Sequence, residues 1–86
     1  MNRVAKFYEK LLNEDSSQGY AFAEMCRFLE KIGFSCRVKG SHYIFSRREI
    51  VEIINLQPKG KFVKDYQVRQ VRRLLKKYNL MDGFIK

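Results

Sequence analysis

The 86 residues contain one histidine, His42, in the run Lys39-Gly40-Ser41-His42-Tyr43-Ile44-Phe45. Gly40 and Ser41 are turn residues, and side chains alternate in character after them. The run therefore reads as the turn and second strand of a β-hairpin with an imidazole at its mouth. Lys39 adjoins the turn, and Arg37 shares its strand face if residues 34–39 form the first strand. An imidazole titrates near neutrality and a cationic turn attracts phosphate, so the group suits acid–base work on a phosphodiester. The plainer reading is a histidine that merely opens a strand.

Charge favours the first reading. The net charge is +9 and unevenly placed. Residues 59–78 carry eight basic groups against Asp65 alone, whereas residues 1–33 are balanced. Such a block on a folded domain reads as a polyanion footprint, its plain alternative being a solvated face. Nucleic acid is favoured over a membrane surface, because Gln and Arg rather than Trp or Phe flank the basic residues. Cys26 and Cys36 stand ten positions apart with no C-x-x-C, and with one histidine they make no metal-ligand set. They read as small buried hydrophobes in a reducing compartment, with one disulfide as the alternative. No metal or cofactor is expected.

Composition bounds the class. Forty-five per cent hydrophobic residues and twelve aromatics (seven Phe and five Tyr) exclude a disordered chain. No apolar run approaches the ~20 residues that span a bilayer. No short apolar block follows a basic start, so a cytoplasmic protein without a secretory signal is expected.

The elements that must position these residues follow from hydropathy. Val4, Phe7, Tyr8, Leu11 and Leu12 recur at helical spacing, predicting a helix over 3–12 capped by Asn2. A polar loop covers 13–19. A second helix over about 21–32 buries Phe22, Met25, Cys26, Leu29 and Ile32, with Phe28 widening the face. Gly33 is its left-handed stop, and Phe34 folds back on its last turn. Residues 34–39, 42–47 and 50–56 predict three strands, antiparallel because their connections are short. Gln57-Pro58-Lys59-Gly60-Lys61 ends the meander, and Phe62 and Val63 lead into the last helix. That helix runs over about 66–78 with Asp65 as N-cap. Val68, Val71, Leu74, Leu75 and Tyr78 make its apolar stripe; Arg69, Arg72, Arg73, Lys76 and Lys77 make a cationic stripe opposite. Asn79, Asp82 and Gly83 stop it, and Phe84 and Ile85 are expected to dock as a tail. The result is an α+β sandwich and a single domain over 1–86: an N-terminal helix and loop (1–19), then a core at 20–80. From the second helix onward the order αβββα is that of the double-stranded-RNA-binding domain.

Four pieces in order resemble the HicA family, small ribonucleases of bacterial toxin–antitoxin pairs, over about residues 22–80. They are Leu29-Glu30-Lys31-Ile32-Gly33-Phe34, the motif Gly40-Ser41-His42, Asn55-Leu56-Gln57-Pro58-Lys59-Gly60, and Tyr66-Gln67-Val68-Arg69-Gln70-Val71-Arg72. Members often carry a second histidine where this chain has Tyr43, and the helix at 3–12 lies outside the usual toxin core. The resemblance implies an RNA-cleaving toxin, an mRNA interferase, with a dsRNA-binding-domain-like fold, held inactive by a HicB-like antitoxin. The family's catalytic histidine carries over to His42 and its motif glycine to Gly40.

On this reading the substrate's 2′-hydroxyl is the nucleophile, which explains RNA over DNA and asks for no metal. His42 moves a proton at the scissile phosphate, while Lys39 and Arg37 offset charge on the phosphoryl oxygens. Gly40 adopts positive φ and lets the RNA backbone approach. Ser41 bonds a phosphate oxygen or its own turn. Tyr66 stacks on a base or packs in the core. Arg69, Arg72, Arg73, Lys76 and Lys77 bind phosphate or an acidic antitoxin surface. The second proton-transfer group stays open among Tyr43, Lys39 and water, although alternation puts Tyr43 on the face opposite His42. Two other classes compete: an RNA-binding module without catalysis, and an interaction subunit whose basic face docks an acidic protein.

Overall fold

Helix α1 covers Arg3–Asn13 and starts as its cap dictates: Asn2 Oδ1 accepts the Ala5 N–H at 2.8 Å. The computed structural model describes residues 2–13 and 16–80. Ala5, Phe7 and Leu11 are buried, and Val4 and Tyr8 pack beside them; Leu12 sits half-buried at the margin of the stripe. Helix α2, Phe22–Lys31, buries Met25, Phe28 and Leu29. Gly33 (φ 105°) donates to Glu30 O at 3.1 Å and Phe34 donates to Leu29 O at 3.0 Å, a Schellman stop that returns Phe34 to the core. A side chain at Gly33 would need that left-handed backbone and would press on the Arg47 guanidinium, whose Nε lies 3.3 Å from a Cβ placed there.

Strands β1 (Ser35–Lys39), β2 (His42–Arg47) and β3 (Ile50–Leu56) form an antiparallel sheet in the order β1-β2-β3. Alternation sorts its faces. Phe45, Ile50, Ile54 and Leu56 face the core, while Arg37, Lys39, His42, Ser46, Val51, Ile53 and Asn55 stay exposed. Cys26 and Cys36 are unbridged and half-buried against the core. Burial, and then the neighbouring Cys36, push the Cys26 thiol up to about 11, so it stays protonated at neutral pH.

The segment expected only to end the meander instead forms a second, small hairpin, β4 (Pro58–Lys59) and β5 (Phe62–Val63). Val63 donates to Tyr20 O and Phe22 donates to Lys61 O, each at 2.9 Å, so the hairpin pins the start of α2. Two-residue strands leave no hydropathy period to read, and Pro58 argued against a strand.

Helix α3 spans Asp65–Tyr78 and buries Gln67, Val68, Val71, Leu74 and Leu75. Lys64, not Asp65, is its N-cap residue, and no side chain caps it. Asp65 lies within the first turn, where the helix dipole favours a carboxylate, and accepts from Gln18 Nε2 at 3.4 Å. Asn79, left-handed at φ 51°, closes the far end by donating to Leu75 O. The Asp82-Gly83 stop and the Phe84–Ile85 tail lie outside the described residues. The architecture is the expected α+β fold, three helices and a three-stranded antiparallel sheet around one core that α1 also joins.

Beside its buried stripe, α3 reaches β3 through three side chains. Gln70 Nε2 donates to Ile53 O at 3.5 Å, Lys77 Nζ donates to Glu52 Oε2 at 2.7 Å, and the Tyr78 hydroxyl donates to Glu52 Oε1. The first of these takes up a backbone carbonyl of the strand at the end of the sheet. The bond from Lys77, then that from Tyr78, draw the Glu52 carboxyl down to about 2. A carboxyl depressed on folding stabilises above its unfolded value and loses that stabilisation as pH falls through the folded one. Glu52→Gln is therefore expected to be less stable than wild type at pH 7, by a margin that shrinks from about pH 5 to about pH 2. Urea unfolding across that range measures it; a margin constant with pH would show that the carboxylate charge is not what clamps the edge.

Candidate active site

The site begins at the first turn. Lys39 pairs with His42 across Gly40-Ser41, with Gly40 at φ 61°. A glycine with positive φ as the first of two loop residues gives the turn whose twist matches the strands it joins. The hairpin closes as tightly as two residues allow, which sets the imidazole on the exposed face of the sheet beside Lys39. In the next row Arg37 pairs with Ile44, and Ile44 pairs in turn with Asn55 of β3.

Hydrogen-bond direction then fixes the ring. Lys64 Nζ lies 3.1 Å from Gln57 Oε1. An ammonium only donates, so the amide oxygen of Gln57 faces Lys64 and its NH₂ faces the other way. That NH₂ lies 3.3 Å from His42 Nε2 and 3.4 Å from Ser41 Oγ. A ring nitrogen facing a donor must accept, so Nε2 bears the lone pair and Nδ1 the hydrogen. Nδ1 lies 3.0 Å from Asn55 Oδ1, an acceptor, and donates to it. Gln57 is itself held from below: its backbone N–H donates to Oε1 of Gln67, which is 2% exposed and whose Nε2 donates to the Tyr66 hydroxyl at 3.4 Å. The assembly holds an exposed imidazole between two partners, Nδ1 at Asn55 and Nε2 at the Gln57 amide, and in the tautomer these bonds select Nε2 is the nitrogen a general base would use.

The expected residues divide. Lys39, Gly40 and Ser41 stand at His42, and Arg37 lies one row away on the same face. Tyr66 joins through Gln67 and Gln57 and is 57% exposed, so it is not a core residue. Tyr43 is turned to the other face, its ring 4.8 Å from that of Phe22, and cannot serve His42 as a proton partner. The cationic stripe of α3 is not a single surface. Arg69, Arg73 and Lys76 are exposed and carry no ion pair among the described residues. Lys77 is committed to Glu52. Arg72 turns inward: its Nε donates to Leu11 O, Nη1 to Ser17 Oγ at 3.3 Å, and Nη2 to Ser16 O at 2.9 Å. The expectation of an outward phosphate ligand at Arg72 is corrected by these bonds, which staple α3 to the end of α1 and the loop after it.

Sequence reasoning missed Asn55, Gln57, Lys64 and Gln67. Two signals existed. Asn55 falls on the outward positions of a strand whose inward ones, Glu52 apart, are apolar, and Gln67 is an amide beside an apolar helix stripe. Among the described residues, no three His, Cys, Asp or Glu are grouped to hold a metal ion, and no helix is long and apolar enough to cross a membrane.

Two outcomes follow. In ¹⁵N spectra the neutral His42 ring is expected as the Nδ1–H tautomer, with Asn55→Leu shifting it toward Nε2–H; a wild-type ring dominated by Nε2–H would contradict the assignment. Arg72→Met is expected to cost about 2 kcal/mol of stability, as loss of charge-assisted bonds does, and to leave the salt dependence of heparin binding unchanged. Arg69→Ala with Arg73→Ala should do the reverse, costing under ~0.5 kcal/mol and lowering the salt slope by up to about two. A stable Arg72→Met variant with a reduced slope would return Arg72 to the binding surface.

Known proteins bear on this geometry. No curated protein and no solved structure gives a significant match. The family model described as the HicA toxin of bacterial toxin–antitoxin systems matches residues 22–80, from the start of α2 to just past α3. The match covers well over half of the chain, takes in the turn, His42 and each residue that orients it, and among the described residues leaves out α1 and the loop after it: the chain belongs to the HicA toxin family.

Proposed function

We propose that this toxin is an endoribonuclease in which His42 moves the proton of the substrate's 2′-hydroxyl, and that a HicB-like antitoxin silences it. One observation carries the reading: an exposed imidazole with Nδ1–H held by Asn55 and its lone pair at Nε2, directly across the turn from Lys39. As a 2′-hydroxyl arrives, it replaces the Gln57 amide as donor to Nε2; the 3.3 Å bond that it displaces is a long one. Nε2 takes the proton while the 2′-oxygen bonds to phosphorus and the bond to the 5′-oxygen breaks. The products are a 2′,3′-cyclic phosphate and a 5′-hydroxyl: the leaving 5′-oxygen takes its proton from water, and the imidazolium returns its own to solvent. Asn55 Oδ1 stabilises the imidazolium formed, and the Lys39 ammonium offsets charge on the phosphoryl oxygens.

Membership of a toxin–antitoxin family supplies a partner antitoxin. We assign it an acidic surface that covers His42, since a chain of net charge +9 both attracts such a partner and is steered to it. The protein acts where RNA is, in the cytoplasm.

The test is purified protein with end-labelled RNA in EDTA. Wild type is expected to cleave and leave 5′-hydroxyl ends, and His42→Ala to lose at least about 100-fold in rate. Equal rates would remove His42 from the chemistry. Binding by both without cleavage would make the chain an RNA-binding module; neither binding nor cleavage would make it an interaction subunit.

A further inference from the structure

The geometry points to a purine-base subsite on the open face of the sheet, one row beyond His42; it rests on the ribonuclease reading and adds the side of the substrate that the ring does not touch. A concavity of about 260 Å³ lies there, lined by Ser35, Cys36, Arg37, Ile44, Ser46 and Ile53. That is just below the ~300 Å³ at which sites for drug-sized ligands begin, so it has room for one base and not for two. Ile44 follows His42 by two positions on the same strand face, about 7 Å along β2. The reach from a reacting ribose to its own base is of that order. The concavity thus lies within one nucleotide's reach of the ring, and a base seated there is held over Ile44 rather than left in solvent.

The lining has the chemistry of a base site. Ile53 is 55% exposed and Ile44 half-buried, an apolar floor without a covering element among the described residues. Arg37 pairs with Ile44 across the strands, is exposed, and makes no hydrogen bond or ion pair among the described residues, so its donor fork remains available at the rim. Ser35 and Ser46 pair with each other on the far side, and each hydroxyl both donates and accepts. A guanidinium offers donors only: on the base edge away from the sugar it finds N7 on either purine, with O6 beside it in guanine, whereas cytosine presents no acceptor there and uracil presents O4 alone. The hydroxyls tolerate either the amino group of adenine or the carbonyl of guanine at the adjoining position. Two fused rings also cover more of Ile44 and Ile53 than one ring does. Arg37 thus serves as a base reader beside a phosphate-facing Lys39, and the two cations of β1 divide the nucleotide between them.

Nucleoside 3′-monophosphates are the probe, because they contain no internucleotide bond and can be added to the wild-type chain. In ¹H–¹³C spectra of isoleucine methyls, the adenosine and guanosine compounds are expected to shift Ile44 and Ile53 and to bind at least several-fold more tightly than the cytidine and uridine ones. Arg37→Met should remove most of that preference. In end-sequenced cleavage products the same variant should reduce purine enrichment on the 5′ side of the cut about tenfold. Nucleotide binding that leaves the Ile44 and Ile53 methyls unshifted, or equal binding of purines and pyrimidines, would overturn the subsite. Purine binding over Ile44 by a protein that cleaves no RNA would keep the subsite and sink the ribonuclease reading; cleavage without base preference and without those shifts would do the opposite.

Discussion

Lys64 can only donate a hydrogen bond, and the state of the histidine depends on that. Its ammonium fixes which end of the Gln57 amide faces the ring, and the amide fixes which ring nitrogen accepts. Asn55 completes the assignment from the other side. Each of these residues is placed by a different part of the fold. Asn55 is near the end of β3, Gln57 lies between β3 and the small hairpin, and Lys64 precedes α3. The buried Gln67 anchors the backbone at Gln57 from within α3. Disturbing the sheet, the hairpin or the helix therefore reaches the imidazole through a hydrogen bond, although the ring itself stands in solvent.

The cations of α3 show how one sequence pattern can have three physical outcomes. Residues 69, 72, 73, 76 and 77 share a side of an ideal helical wheel, yet their fates depend on what flanks the helix. Lys77 is near β3, whose Glu52 is within its reach. Arg72 is on the other flank, where helix α1 ends with the Leu11 carbonyl open and the following loop presents Ser16 O. A C-terminal carbonyl lacks an intrahelical partner, and a guanidinium with five donors satisfies several such groups at once. Only Arg69, Arg73 and Lys76, farthest from both flanks, remain for a partner or a polyanion. The helix outside the HicA match is thus tied in through the last family helix, with Tyr20 OH donating to Lys10 O beside the same staple.

Much of this was legible before any coordinates. Periodicity located the three helices and three main strands, because each buries a regular set of apolar positions. The Gly40-Ser41 turn, His42 at its mouth and Tyr43 on the opposite face followed from residue type and alternation. Hydrogen-bond partners between distant residues did not, because no period or spacing links Lys64 to Gln57 or Arg72 to Leu11. The start of α3 was misplaced by one residue because Asp65 has the chemistry of a cap but sits in the first turn, where the dipole also rewards a carboxylate. The β4–β5 hairpin was invisible for want of length. It uses the same kind of tight glycine turn as the active hairpin, and it holds the start of α2 in place of the side-chain cap that α2 lacks.

The two faces of the sheet express one division of labour. The inner face spends its side chains on the core: Phe45, Ile54 and Leu56 are buried to 1% exposure or less. The outer face keeps apolar Val51 and Ile53 at 91% and 55% exposure beside Arg37, Lys39 and His42. Stability alone would favour polar residues at those two positions, because apolar area left in water contributes nothing to folding and invites association. At the outer edge of β3 the Ile53 carbonyl already accepts a bond from Gln70 of α3. What remains is a face with an apolar floor, a cationic rim and an oriented base at one end. Such a face matches a nucleotide, which is itself apolar on its base planes, anionic at its phosphate and reactive between them. On the proposed reading, the same exposed face is the one for which an antitoxin would compete with RNA.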